Sequence, residues 1–200
     1  MISVHHLIKR FGPKIVLRNL DFQVEEGEFV ALLGPNGAGK TTFLRILASL
    51  ARPSLGEVWV AGYSLPNQAA AVRRRLGVVS HLPLLYGDLS AEENLRFYGR
   101  LYNVPYLDRR ISDVLELVGL ASRRRDLVRT FSRGMQQRLA IGRAVLHDPD
   151  VILFDEPHTG LDQDACAMLD DVLRQVAARG RTVVRSEEHT SELQSRVDTS

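Results

Sequence analysis

The chain alternates between short unbroken apolar runs and longer amphipathic stretches. Residues 29–33 (FVALL) and 151–154 (VILF) are continuous apolar runs, typical of strands that are covered on both faces of a parallel sheet. Shorter strands are predicted at 56–62 and 77–80. A helix is predicted from residue 40 to about residue 51, because its apolar side chains recur at helical spacing: Phe43, Leu44, Leu47 and Leu50. The pattern predicts an α/β core.

A helical region interrupts this core at about residues 88–146. Ser90 and Glu93 form a capping-box pattern, which predicts the start of one helix. Two more amphipathic stretches follow before the apolar run at 151–154 restores the α/β alternation. We therefore predict an α/β fold with an inserted helical subdomain.

Composition narrows the class of protein. Of the 200 residues, 44% are hydrophobic and 25% are charged, which is ordinary for a globular domain. The formal charge of +2 gives no reason to expect a nucleic-acid partner. Cys166 is the one cysteine, so no internal disulfide can form. No signal peptide is evident, and no apolar run approaches the roughly 18 residues that span a bilayer. We expect a cytosolic chain whose membrane role, if any, needs a partner.

Residues 34–41 (GPNGAGKT) match the phosphate-binding P-loop pattern G-x-x-x-x-G-K-[ST]. Glycines let the backbone curl so that its N–H groups point at phosphate oxygens, and the following helix adds partial positive charge. Lys40 supplies a full charge for the β- and γ-phosphates, and the Thr41 hydroxyl can bind Mg²⁺. The competing interpretation is a plain glycine-rich turn. The predicted nucleotide-binding residues here are Gly34, Pro35, Asn36, Gly37, Ala38, Gly39, Lys40, Thr41 and Thr42.

Asp155 and Glu156 directly follow the buried run at 151–154. A carboxylate at the end of a neighbouring strand is what a P-loop site needs for its metal. Asp155 is predicted to hold Mg²⁺, and Glu156 to orient and deprotonate the attacking water, with Lys40 as the second catalytic residue. An acidic turn without function is the alternative. Together with the P-loop, the pair predicts nucleotide hydrolysis.

Residues 131–138 (FSRGMQQR) resemble the signature motif of ABC ATPases, usually written L-S-G-G-Q. Ser132 and Gly134 are retained, and in that family they bind the γ-phosphate across a dimer. Met135 follows them, and Arg133 replaces the middle glycine. Residues 157–162 (PHTGLD) resemble the family's D-loop, which lies at the subunit contact. Phe11 lies where the family stacks an aromatic ring on adenine.

This resemblance covers about residues 2–184 and implies a P-loop NTPase fold: a RecA-like core, a small antiparallel β portion and the helical subdomain. It implies ATP and Mg²⁺ as cofactors. It also implies a head-to-tail dimer with a second ATP-binding subunit, and transmembrane permease subunits as partners. The expected location is peripheral, on the cytoplasmic face of the cell membrane.

His81 stands where the family has its Q-loop glutamine. Either the imidazole contacts the metal, or it is a loop histidine that transmits contacts to the membrane partner. His81, residues 132–135 (SRGM) and residues 93–98 (ENLRFY) together resemble the ATPase of haem exporters in cytochrome c maturation. Exporters of drugs, lipids or antibiotics share much of this pattern. The cargo prediction is therefore haem, with those classes as alternatives.

The C-terminal residues do not continue the pattern. Residues 182–184 begin a strand, but residues 185–195 (RSEEHTSELQS) offer almost no apolar bulk. They resemble a translated sequencing adapter, so we predict a native domain at 1–184 and a non-native tail at 185–200. His189 is accordingly not assigned as the histidine that contacts the γ-phosphate in the family. We expect this version to bind and hydrolyse ATP poorly and to have an exposed sheet edge.

Two further function classes compete with a transporter motor. A soluble ABC ATPase acting on ribosomes or DNA usually carries two cassettes or a long coiled-coil insert, and neither is visible. A binding-only P-loop module is disfavoured because Glu156 is available to activate water.

Overall fold

A computed structural model describes residues 1–80 and 82–188, without the side chain of Glu188. Within these residues two sheets form. An antiparallel sheet, in the order β2-β1-β4-β5, consists of β1 (Ile2–Phe11), β2 (Lys14–Val24), β4 (Leu55–Val60) and β5 (Tyr63–Leu65). A parallel sheet, in the order β3-β8-β7-β6, consists of β3 (Phe29–Gly34), β6 (Leu76–Val79), β7 (Val151–Asp155) and β8 (Thr182–Glu188).

Six α-helices accompany the sheets in the described part of the chain. They are α1 (Lys40–Leu47), α2 (Ala69–Arg74), α3 (Ala91–Leu101), α4 (Leu107–Leu117), α5 (Arg133–Val145) and α6 (Gln163–Ala177). Short 3₁₀ turns lie at Ala121–Arg123 and Val128–Thr130. This is the predicted mixture of an α/β core, a small antiparallel sheet and a helical insertion.

Helices α3, α4 and α5 lie between β6 and β7, where the sequence predicts the helical region. The predicted capping box is present: the Ser90 hydroxyl accepts from the Glu93 amide at 3.2 Å, and the Glu93 carboxylate accepts from the Ser90 amide at 2.8 Å. These helices bury a shared apolar core that includes Leu95, Ile111 and Leu139. A second core joins the antiparallel sheet to α1 and β7.

Helix α1 is shorter than predicted, because it ends at Leu47 rather than near residue 51. The amides of Leu50 and Ala51 both donate to the carbonyl of Arg45, at 2.8 and 3.0 Å, so the chain turns away from the helix axis. Leu50 is consequently 63% exposed and does not belong to the apolar face. Helical spacing alone did not reveal this turn.

Strand β3 is not covered on both faces, and that prediction was wrong. Its burial alternates: Val30 and Leu32 pack against the core, whereas Phe29 and Leu33 are 45% and 59% exposed. The strand lies at the edge of the parallel sheet and pairs with β8 alone among the described residues. No described helix covers its outer face.

Strand β8 continues past residue 184, so the prediction that the strand breaks there was also wrong. It runs to Glu188 between β3 and β7, and both neighbours pair with it in parallel. The polar residues are accommodated by partners: Arg185 forms an ion pair with Asp170 at 3.2 Å and contacts Glu187, and Ser186 is fully buried. Backbone pairing on two sides compensates for the missing apolar bulk. Residues 189–200, including His189, lie outside the described residues.

Candidate functional site

The P-loop leaves β3 and opens α1, as the sequence predicts. Residues 35–38 are exposed, so their backbone is accessible to a ligand. Gly39 has φ +96°, and a Cβ atom there would lie 2.8 Å from Cδ2 of Leu17 on β2. The backbone conformation therefore favours glycine at this position, and β2 leaves little room for a side chain.

The Lys40 ammonium group folds back over the loop. It donates to the carbonyl oxygens of Gly34 at 2.5 Å and Pro35 at 3.1 Å. This keeps the positive charge beside the loop amides and the N-terminus of α1, where a phosphate would bind. Thr42 follows in the first turn of the same helix.

The two predicted metal-binding side chains meet across the site. The Thr41 hydroxyl donates to Oδ1 of Asp155 at 2.9 Å, although the residues come from different elements, α1 and β7. A hydroxyl beside a carboxylate is a hard-oxygen donor set that suits Mg²⁺. In the described residues no cluster of three or more His, Cys, Asp or Glu side chains is arranged to hold a metal ion. An ion between Thr41 and Asp155 would therefore complete its shell with water and substrate oxygens.

Glu156 has an unusual backbone conformation directly after β7. Its φ of +51° lies in the left-handed region, which costs free energy for a residue with a side chain. Its amide donates to the hydroxyl of Ser186 at 3.0 Å, and its carbonyl accepts from the Thr159 amide at 3.2 Å. These bonds hold the sharp turn that directs the chain, and Glu156 with it, away from the strand.

Ser186 is a site residue that the sequence interpretation missed. Its fully buried hydroxyl donates to Oδ1 of Asp155 at 3.0 Å while it accepts from the Glu156 amide. It thereby links the two acidic residues of the site. The sequence interpretation could not place Ser186 beside Asp155, because it excluded residues 185 onward from the predicted strand. Had β8 been continued, its parallel register would have paired Ser186 with Asp155.

The residues of the signature motif lie at the N-terminus of α5. Ser132 caps this helix, since its hydroxyl accepts from the Met135 amide at 3.3 Å. A Cβ atom on Gly134 would lie 3.0 Å from Cβ of Ala165, so α5 begins in close contact with α6. In the described part of the chain, no hydrogen bond joins residues 131–135 to the P-loop.

Two predicted residues lie apart from this centre. Phe11 ends β1, is 54% exposed, and has the Lys9 ammonium 4.6 Å from its ring centroid. Lys9 pairs in turn with Leu17, the side chain that approaches Gly39, which connects Phe11 to the P-loop through the β1–β2 hairpin. His81 lies outside the described residues, so its predicted metal contact stays a prediction.

Comparison with known proteins decides the family. The sequence pattern of the ABC transporter family matches residues 17–159, which include the P-loop, the signature segment and the Asp155–Glu156 pair. The chain belongs to the ABC transporter family.

Curated relatives in this family are named for resistance, export and transport. The chain is 33% identical over 196 residues to the linearmycin resistance ATP-binding protein LnrL of Bacillus subtilis (strain 168), covering 97% of this chain and 63% of that protein. It is 39% identical over 186 residues to the Nod factor export ATP-binding protein I of Cupriavidus pinatubonensis, covering 92% of this chain and 57% of that protein. It is also 39% identical to the ABC transporter ATP-binding protein NatA of Bacillus subtilis (strain 168), and this match covers 99% of this chain and 83% of that protein. The chain thus spans less than two thirds of the first two relatives.

Solved structures agree with the fold. An ATP-binding cassette in a dimeric, post-hydrolysis state with ADP and Pi superposes with a TM-score of 0.82 at 28% identity, covering 93% of this chain and 87% of that one. The ATP-binding subunit of an ABC transporter gives the same TM-score at 32% identity, covering 94% of this chain and 79% of that one. The P-loop NTPase fold of an ABC cassette, predicted from the sequence, is confirmed.

Proposed function

We propose that the protein binds MgATP, hydrolyses it, and acts as the motor subunit of an ABC exporter. One observation carries the proposal: the Thr41 hydroxyl and the Asp155 carboxylate lie 2.9 Å apart, with Glu156 next in the chain. Metal-binding groups at the end of a P-loop, beside a carboxylate able to accept a proton, are the parts that nucleotide hydrolysis needs.

Each residue has a separate role in this proposal. The amides of the P-loop and the Lys40 ammonium group bind the phosphate chain, and Phe11 stacks on the adenine. Thr41 and Asp155 would hold Mg²⁺, which would supply neutralisation of the phosphate charge. Glu156 orients a water molecule in line with the γ-phosphate and accepts its proton.

We propose that the signature residues serve a second ATP-binding subunit. Among the described residues, Ser132, Gly134 and Met135 form no hydrogen bond with this chain's own P-loop. They lie at the start of a helix, and a helix N-terminus attracts anions. The similar cassette, a dimer in a post-hydrolysis state with ADP and Pi, supports the formation of a dimer. We propose that this dimer is head-to-tail, closes on ATP and reopens after hydrolysis.

The permease subunits would dock on the exposed apolar side chains near α3. Phe97 contacts Tyr86 edge to face with ring centroids 5.1 Å apart, and both are partly exposed. A neighbouring depression of about 450 Å³ is lined by Phe97, Leu101 and three charged residues. Leu84, whose carbonyl accepts from the Tyr98 hydroxyl of α3 at 2.5 Å, is 56% exposed. No helix among the described residues is long and apolar enough to cross a bilayer. From the proposed contact with permease subunits we infer a peripheral location on the cytoplasmic face of the cell membrane.

The direction of transport is proposed from the relatives. One is named for linearmycin resistance and another for Nod factor export, so outward transport of a solute is the favoured activity. Haem export is a narrower hypothesis that rests on His81 and the residues at 93–98 and 132–135. An ATPase assay of the cassette with its permease, in vesicles loaded with haem or with an antibiotic, would separate these cargoes.

The boundary of the native chain is a separate hypothesis. The residues from 185 onward still resemble a translated adapter, and the domain limits at 1–184, with a helical subdomain at about 88–146, stay proposals. Sequencing the parent locus tests the boundary directly. A native sequence identical to residues 185–200 would refute the adapter hypothesis.

Replacement of Lys40 by alanine tests ATP binding. We expect the affinity for a fluorescent ATP analogue to fall at least about tenfold, because the bound phosphates lose a full positive charge near the loop. Arg109→Ala, an exposed cation on α4, is the matched control and should bind like the unsubstituted protein. Unchanged affinity in Lys40→Ala would refute the proposed site.

A further inference from the structure

Arg133 departs from the family pattern, and it contacts the loop that follows Glu156. A Cβ atom built on Gly160 would lie 2.8 Å from both Cζ and Nη1 of Arg133 and 3.1 Å from Nη2. Three atoms of the guanidinium group at nearly equal distance mean that its flat face covers Gly160. Gly160 also has φ +74°, so glycine is favoured there by its backbone conformation.

The contact is a packing contact rather than an ion pair. Arg133 forms no ion pair with any carboxylate in the part of the chain that the structure describes. Two acidic residues that follow Gly160 in the chain have other partners: Asp162 caps α6 through the Ala165 amide at 2.8 Å, and Asp170 binds His158 at 2.8 Å. Arg133 is exposed, and its guanidinium group lies against Gly160 without a carboxylate partner among the described residues.

The loop beneath Arg133 is a short, wound connection from Glu156 to α6. The Thr159 amide donates to the Glu156 carbonyl at 3.2 Å, and the Leu161 amide donates to the His158 carbonyl at 3.1 Å. Because these two hydrogen bonds fix the backbone of the connection, we expect a shift of Gly160 to move the backbone of Glu156 as well. Arg133 itself is the first residue of α5, beside Ser132.

We propose that Arg133 is a positioning residue that joins the signature turn to the loop 157–162, so that movement of α5 is transmitted to Glu156. This inference rests on the proposed function, because it assigns the coupling to the same hydrolytic site. The flat guanidinium group acts as a cover on Gly160, and its role is to set the position of the water-activating carboxylate.

Three variants of the 200-residue chain test this role. Arg133→Ala removes the cover, Arg133→Lys keeps the charge without the flat group, and Gly160→Ala places a methyl group where the guanidinium lies. We expect each to lower kcat about five- to tenfold and to change KM for ATP less than twofold, since phosphate binding is unaffected. The double variant Arg133→Ala/Gly160→Ala should be little worse than Gly160→Ala alone, because both changes break one contact. Arg125→Ala, an exposed arginine before the signature segment, is the control.

Hydrogen exchange separates positioning from general destabilisation. In Arg133→Ala we expect faster exchange at the amides of Thr159 and Leu161, with no change at the Met135 amide that Ser132 caps. A raised KM with unchanged kcat, or full activity in Arg133→Lys, would overturn the proposal and assign the charge to phosphate binding. Additive effects in the double variant would also overturn it. If the unsubstituted protein fails to bind ATP, the proposed function itself fails, and this inference fails with it.

Discussion

Replacing Ser186 by alanine removes one hydroxyl group from the interior of the parallel sheet. The side chain is fully buried, and its oxygen makes two hydrogen bonds of 3.0 Å and a longer contact of 3.5 Å to the Phe154 carbonyl. One is donated to the Asp155 carboxylate, and the other is accepted from the Glu156 amide. The substitution is nearly isosteric, so the lost free energy comes from these bonds rather than from a cavity.

The magnitude follows from the two partners. A hydrogen bond to a charged group contributes about 1.5–3 kcal/mol and a neutral one about 1 kcal/mol. Asp155 retains its bond from Thr41, which lowers the loss on that side. We expect Ser186→Ala to lower the free energy of unfolding by about 3 kcal/mol. In a domain of this size, that corresponds to a decrease in Tm of about 6 to 12 °C.

Urea unfolding of the 200-residue chain, followed by circular dichroism, measures this difference. Ser122→Ala is the matched control, because Ser122 is an exposed residue of a 3₁₀ turn and should change stability by less than about 0.5 kcal/mol. If Ser186→Ala were as silent as this control, residue 186 would not lie inside the sheet. That result would instead support the sequence prediction of a strand that ends at residue 184.

Three other substitutions probe the site and its surroundings. Glu156→Gln should retain nucleotide binding but lower phosphate release at least about 100-fold, because the amide cannot accept the proton of water; near-normal turnover would refute its role. Thr41→Val should raise the Mg²⁺ concentration for half-maximal activity about tenfold, and an unchanged requirement would exclude Thr41 as a metal contact. Burial lowers the pKa of His147 from 6.5 to about 4. The unfolded chain therefore binds a proton between these pH values that the folded chain does not, and stability falls as the pH is lowered through this window. His147→Phe, which can still stack on Tyr102, should flatten this part of the stability curve, as urea unfolding at several pH values would show.

Local sequence was sufficient for the features whose causes are local. A capping box depends on two side chains three residues apart, so Ser90 and Glu93 could be identified from their spacing. The P-loop likewise depends on glycines and a lysine within eight residues. The approximate places of most helices and strands followed from periodicity for the same reason.

Contacts between distant segments could not be found in this way. The exposure of Phe29 depends on which elements cover the outer face of β3, and hydropathy does not report that. The continuation of β8 through Arg185 and Ser186 depends on backbone partners supplied by β3 and β7. A polar segment with no apolar signal is stable as a strand when both of its edges are paired.

The sequence by itself determined the chemistry of this protein: a curled loop with Lys40, an acidic pair after a strand, and a serine at the start of a helix. Only the tertiary structure decided how these parts are joined. Ser186 bridges Asp155 and Glu156, and Arg133 covers Gly160, because segments far apart in the chain become neighbours in the fold. Chain spacing encodes which groups are available, whereas the distances between them are set by packing.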